Sequence, residues 1–191
     1  MIVGAILLAA GSARRMGDDK LGMDLGGRPL VAHALKSLCD AAVDSILVAV
    51  APGSPLVRHL VPYATVVEVA GHAEGMGRSL AEAAVLIPAN WDAVVVALGD
   101  MPFVQSETID RLIGLASHQA IVRPRHVGQP GNPVLWGRSC FAALANLRGD
   151  EGGRSLLRDR EPIFVDCDDP GVLFDVDTPE ALAEARAGLR G

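Results

Sequence analysis

Short, almost wholly apolar runs recur along the chain and alternate with segments whose apolar positions fall three and four apart. Residues 2–9, 45–51, 65–69, 93–98 and 120–123 are rich in Val, Ile, Leu and Ala and lack clean polar–apolar alternation. Runs of that kind predict strands covered on both faces, as in a parallel sheet between two layers of helices. Between them, Leu30, Val31, Ala34, Leu35 and Leu38 share one helical face, as do Leu80, Ala83, Ala84 and Ile87, and Ile109, Leu112, Ile113 and Ala116. Ser106 stands where an N-cap of the last of these belongs, with Glu107 in its first turn.

The last third is less regular. Residues 133–136, 163–166 and 173–176 read as strands, and 139–147 and 152–158 as helices. Thr178 caps a final helix whose first residue is Pro179, where a missing amide hydrogen costs nothing. The whole pattern predicts an α/β fold: a single doubly wound, mostly parallel sheet flanked by helices, Rossmann-like in layout. The 191 residues suit one domain, 1–191, without internal repeat or linker.

Composition narrows the field. A net charge of −6 argues against a broad nucleic-acid-binding surface, though not against a local cationic pocket. Aromatics make up only 4%, so aliphatic side chains and alanine must fill the core. Cys39, Cys140 and Cys167 are too few and too scattered for a disulfide frame or a zinc site. The apolar first ten residues lack a basic leader, and no apolar run approaches the roughly 20 residues that span a bilayer. A cytoplasmic protein with no membrane or nucleic-acid partner is expected.

In open α/β sheets, ligands bind beyond the carboxyl ends of the strands. Three such segments carry candidate chemistry. After the first strand, residues 8–20 place small residues, Arg14, Arg15 and Lys20 around Gly11 and Gly17. Glycine amides can approach an anion there and the cations can match a polyphosphate. The spacing fits neither the dinucleotide fingerprint nor a P-loop. After the fourth strand, Gly99, Asp100, Met101 and Pro102 end a β-forming run on an acid able to hold a hard cation through oxygen. Further on, alternation puts Asp175 and Asp177 on one side of an extended segment, although Asp177 or Thr178 must also cap the last helix. Gly75 and Gly77 open the segment before Arg78 and Ser79, whose helix-start amides and hydroxyl offer hydrogen bonds. The five histidines show no metal-ligand spacing.

Residues 8–20 resemble the LAAGxSxRMG…K signature of the MobA-like nucleotidyltransferases, the family that includes molybdenum cofactor cytidylyltransferases. Ala13 replaces a frequent serine, and Arg14 falls on a variable position. Residues 98–102 are similar to that family's LGDMP motif, 174–180 to its D-[IV]-DTPED element, 71–80 to its GM…SL element, and 128–136 and 148–157 to its G[HN]PV and GDxGAR stretches. Asn132 stands where His is common, and Gly153 where Ala is usual. The resemblance implies that Ala9, Ala10, Gly11 and Arg14 cradle the triphosphate of a nucleotide. It implies that Lys20 and Arg15 stabilise charge on the α-phosphate and the departing pyrophosphate, and that Asp100 and Asp177 hold Mg²⁺, with Asp175 in support or as the alternative ligand. Gly75, Arg78 and Ser79 would lie against base and ribose.

The same resemblance implies CTP as donor, molybdopterin as acceptor, and a molybdenum hydroxylase or its maturation chaperone as recipient of the product. It implies a nucleotide-binding part over about residues 1–105 and an acceptor-binding part over about 106–191. Ala10, where guanylyl relatives tend to carry glycine, leans toward CTP over GTP, and one methyl discriminates by a few kcal/mol at best. The alternatives are a molybdopterin guanylyltransferase, a nucleotidyltransferase for a sugar or polyol phosphate, and a non-catalytic molybdopterin carrier of the same fold.

Overall fold

The computed structural model describes residues 1–11, 20–149, 152–158 and 160–189. Its strands are β1 (Val3–Ala9), β2 (Asp24–Leu25), β3 (Arg28–Pro29), β4 (Ser45–Val50), β5 (Thr65–Glu68), β6 (Ala93–Leu98), β7 (Ile121–His126), β8 (Gln129–Pro130), β9 (Val134–Gly137) and β10 (Ile163–Asp166). Its α-helices are α1 (Leu30–Asp40), α2 (Val57–Leu60), α3 (Met76–Val85), α4 (Ser106–Ile113), α5 (Phe141–Leu144) and α6 (Pro179–Gly188). The main sheet runs β10-β7-β9-β6-β1-β4-β5, with β8 paired to β7; β2 and β3 form a separate small hairpin.

Every residue of β1 is buried, because β1 lies in the middle of the sheet between parallel β4 and β6. Its side chains alternate between two apolar layers. Ala5, Leu7 and Ala9 pack with α1, α4 and α6, while Ile6 and Leu8 pack with α3 and α5. Fully burying a Leu or Ile contributes about 1.5–3 kcal/mol, so a strand without polar alternation is what a two-sided core selects. Strand β9 runs antiparallel to both β6 and β7, which makes the sheet mixed but mostly parallel.

Several local expectations change. Ser106 is the first residue of α4 and not its cap; Gln105 precedes the helix, with no side-chain cap bond of its own. The buried Asp169 supplies what a cap would, accepting from Gln105 N at 3.0 Å and Thr108 Oγ1 at 2.7 Å. Residues 173–176 are not a strand: a 3-10 turn, Pro170–Leu173, is followed by chain bonded to its neighbours one group at a time. The 152–158 segment is a 3-10 turn, Gly152–Leu157, and 139–147 shortens to a 3-10 turn followed by α5. Thr178 does cap α6, its Oγ1 accepting from Ala181 N at 3.2 Å. No helix among the described residues is long and apolar enough to cross a membrane.

Candidate active site

The carboxyl ends of β1 and β6 lie side by side, and the sequence between them makes that approach possible. Gly99 N donates to Leu8 O at 2.9 Å, and a β-carbon on Gly99 would stand 3.0 Å from that same oxygen. Glycine therefore lets the chain leave β6 tight against β1 and deliver Asp100 over the sheet edge. The 170s segment arrives from the other side. Val176 N donates to Asp100 O at 2.9 Å, the Phe174 and Phe103 rings pack at a 50° tilt with centroids 5.5 Å apart, and Val176 turns wholly into the core. With Val176 inward, Asp177 faces outward beside Asp100.

Lys20 meets both. It opens a 3-10 turn, Lys20–Gly22, that is pinned by Leu21 in the α1-side core. Its Nζ donates to Asp100 Oδ2 at 2.8 Å and to Asp177 Oδ1 at 2.6 Å. The lysine is only 8% exposed, a rare state for that residue type without charged partners. Burial alone would lower its pKa. The adjacent Asp100 charge and the hydrogen bonds to Asp100 and Asp177 outweigh burial and hold the ammonium above the ordinary lysine range. Asp175 is pushed upward, first by desolvation, then by its hydrogen bond with Asp177 and the negative charges of Asp177 and Asp100.

The donor set suits a hard divalent cation: carboxylate oxygens from two chain segments converge on one point, and that point already holds a positive charge, the Lys20 ammonium. Asp100 and Asp177 are thus the residues able to hold such an ion, with Lys20 the group that would have to yield its place.

The other expected site residues that the structure describes lie at the end of β1 and at the start of α3. Ala9 and Ala10 are buried at the end of β1, and Gly11 is exposed just beyond them. Arg14 and Arg15 fall outside the described residues, as do Gly17 and, in the 148–157 stretch, Asp150. Gly75, at φ 119°, turns the chain into α3, and Gly77 N donates to Gly149 O at 2.8 Å. Ser79 is buried, with its Oγ donating to Gly75 O at 3.4 Å, and Arg78 Nε lies 3.1 Å from Glu82 Oε1. One structural residue escaped the reading of the sequence. Asp169, 1% exposed, also accepts from Gly171 N at 3.0 Å and so ties the turn before Asp177 to the start of α4. A side-chain oxygen acceptor followed by proline is the cap signature that Asp169–Pro170 shares with Thr178–Pro179.

Fold and site together define an α/β protein that presents a lysine–dicarboxylate cluster at the carboxyl edge of its mostly parallel sheet. Residues 5–163 match the MobA-like NTP transferase domain, and the chain belongs to that family of nucleotidyltransferases. It is 30% identical to the purine catabolism protein PucB of Bacillus subtilis, over 96% of each chain. It is 24% identical to the molybdenum cofactor cytidylyltransferase of Escherichia coli, over 96% of this chain and 95% of that one. Among solved structures, Rv0371c of Mycobacterium tuberculosis in complex with manganese superposes with a TM-score of 0.81 at 25% identity, covering 98% of this chain and 99% of the other.

Proposed function

We propose that the protein transfers CMP from CTP to the terminal phosphate of molybdopterin and releases pyrophosphate, with Mg²⁺ held by Asp100 and Asp177. The observation that carries this reading is the Lys20 ammonium lodged between those two carboxylates at the sheet edge. Similarity to the cytidylyltransferase of Escherichia coli and to a manganese-bound structure supports it.

When bound, the divalent cation supplies charge neutralisation between donor and acceptor phosphates. Asp100 and Asp177 hold it, and Asp175 reinforces their negative field. Lys20 exchanges its carboxylate partners for α-phosphoryl oxygens and stabilises charge that grows there, while Arg15 does the same for the pyrophosphate. Ala9, Ala10, Gly11 and Arg14 wrap the triphosphate. Gly75, Arg78 and Ser79, at the start of α3, face the base and ribose. A phosphate monoester is already an anionic nucleophile, so positioning and electrostatics suffice and no strong base is required. Residues 1–105 make the nucleotide-binding part and 106–191 the acceptor-binding part. The product passes, in the cytoplasm, to a molybdenum hydroxylase or its maturation chaperone.

A second assignment of the acceptor is favoured by the higher identity to a protein named for purine catabolism: the same transfer chemistry serving that process with another phosphate acceptor. Incubation with molybdopterin and each of CTP and GTP, followed by mass analysis, tests both. Molybdopterin cytosine dinucleotide is the expected product. Its absence, alongside Mg²⁺-dependent pyrophosphate release with other acceptors, would refute the first assignment. Asp100→Ala is expected to slow turnover by roughly 10²–10³ while remaining folded.

A further inference from the structure

We propose that Glu82 is a positioning residue for the nucleotide: it fixes the Arg78 guanidinium by its inner nitrogen, over a space that glycine at position 71 leaves open. The role given to Arg78 rests on the transferase reading above.

The place of these residues follows from the sheet. Strand β5 runs parallel to β4, and β4 and β6 run parallel to β1, so their carboxyl ends share one edge, the one where Lys20 meets Asp100 and Asp177. The chain leaves β5 at that edge, where Val69 N donates to Val50 O at 2.9 Å. A 3-10 turn, Ala70–Glu74, follows, and Gly75 leads into α3. Leu80, Ala83 and Ala84 then pack α3 against the layer that holds Ile6 and Leu8 of β1. Arg78 is therefore in the turn of α3 nearest the edge, and Glu82 follows it by four residues on the same helical face.

One carboxylate joins three elements. Glu82 accepts from Gly71 N through both oxygens, Oε1 at 3.2 Å and Oε2 at 3.3 Å. Its Oε1 also lies 3.1 Å from Arg78 Nε. That second contact is one of charge, since Nε is buried and is not aligned to donate to the carboxylate. Glu82 thus ties the body of α3 to the turn that precedes it and holds the arginine between them. It meets the guanidinium at Nε, the inner of the three nitrogens, which leaves both Nη groups outside the contact. Those two carry the donors that match a phosphate or a ribose hydroxyl.

Gly71 supplies an independent sign that the arrangement is built. Its backbone is not in the left-handed region, so conformation does not call for glycine there. Space does. A β-carbon on residue 71 would stand 2.5 Å from Arg78 Cγ, 2.7 Å from Glu82 Oε1 and 2.8 Å from Arg78 Nε. Any other residue would push the arginine stem off its seat. A partly exposed ion pair at this helical spacing adds little to stability, so what the node secures is the orientation of a charge at the ligand edge and not the fold.

Isothermal titration of CTP and, separately, of GTP into the full chain with Mg²⁺ and no acceptor tests this. Glu82→Gln keeps an oxygen for Gly71 N and removes the charge that faces Arg78. It should melt close to wild type and bind the nucleotide about 10-fold more weakly, equivalent to about 1.4 kcal/mol. Gly71→Ala leaves every charge in place and displaces the arginine; a similar loss is expected. Arg78→Ala should lose at least as much, and adding Glu82→Gln to it should cost nothing further, because Glu82 acts through the arginine. Wild-type affinity in any of the three folded single variants would overturn the proposal. So would an equal loss from Glu82→Gln with and without Arg78, which would show a role independent of that residue. If wild type binds neither nucleotide, the transferase reading falls and takes this one with it; if wild type binds and the variants bind equally well, this proposal alone falls.

Discussion

Replacing Lys20 by alanine should move metal affinity and turnover in opposite directions. The ammonium sits 2.8 Å from Asp100 and 2.6 Å from Asp177, whose side chains are 21% and 57% exposed. Breaking a fully buried ion pair costs about 3–5 kcal/mol, whereas an exposed pair is worth at most about 1 kcal/mol. With one partner largely buried and the other largely solvated, a loss of about 2–3 kcal/mol is expected. For a chain of this size that lowers the melting temperature by about 5–10 °C. The elevated pKa sets the pH window. The stabilisation is fully present below the ordinary lysine value of 10.5 and is lost as pH rises through the higher folded value, so wild type and variant converge only in strongly alkaline solution. Without the ammonium, a divalent cation no longer competes with a resident positive charge. Mn²⁺ affinity of the nucleotide-free protein, measured by electron paramagnetic resonance, should tighten about tenfold, or about 1.4 kcal/mol. Turnover should fall by roughly 10²–10³, since the charge on the transferring phosphate loses its partner. A folded Lys20→Ala protein that binds Mn²⁺ no more tightly than wild type would refute the idea that lysine and metal share one place.

Other consequences follow from single residues. Asp175, held above its ordinary pKa of 3.8, is a net cost once ionised: the cost is absent below that value, grows as pH rises from it to the folded pKa, and stays constant above. Asp175→Asn should thus raise the melting temperature at pH 7 and not at pH 3.5, by less than about 1 kcal/mol because solvent reaches the group. Asp169→Ala strands the donors at Gln105, Thr108 and Gly171, and should cost about 3–5 kcal/mol in chemical denaturation. A folded fraction that binds Mn²⁺ as wild type does would show that the turn does not set the place of Asp177. Gly99→Ala puts a methyl 3.0 Å from Leu8 O and 3.3 Å from Val31; a destabilisation of about 1–3 kcal/mol is expected, read from urea midpoints.

Much of the architecture was legible locally. The continuous apolar runs at β1, β4 and β6 could be satisfied only by cover on both faces, which forces helices above and below and a mostly parallel sheet. Thr178 before Pro179 announced α6 for an equally local reason, a side-chain oxygen for an orphan amide and a residue with none to lose. The antiparallel course of β9 was not legible, since four apolar residues read alike in either direction. Nor was the two-residue β2–β3 hairpin, too short to show a period. The 170s misled because an extended apolar segment looks like a strand whether its hydrogen bonds form a ladder or reach out singly, as Asn132 N does to Val172 O and Val176 N to Asp100 O.

The residue types at the site, one lysine and three acids, were fixed by the sequence alone, and so was their expected chemistry. That Lys20 is buried, and lies between Asp100 and Asp177 and not in solvent, was decided by the tertiary structure. Charges so far apart in the chain have no local force to bring them together. The packing of Phe103 on Phe174 and of Val176 in the core does that, and the close passage of Gly99 against β1 leaves room for it.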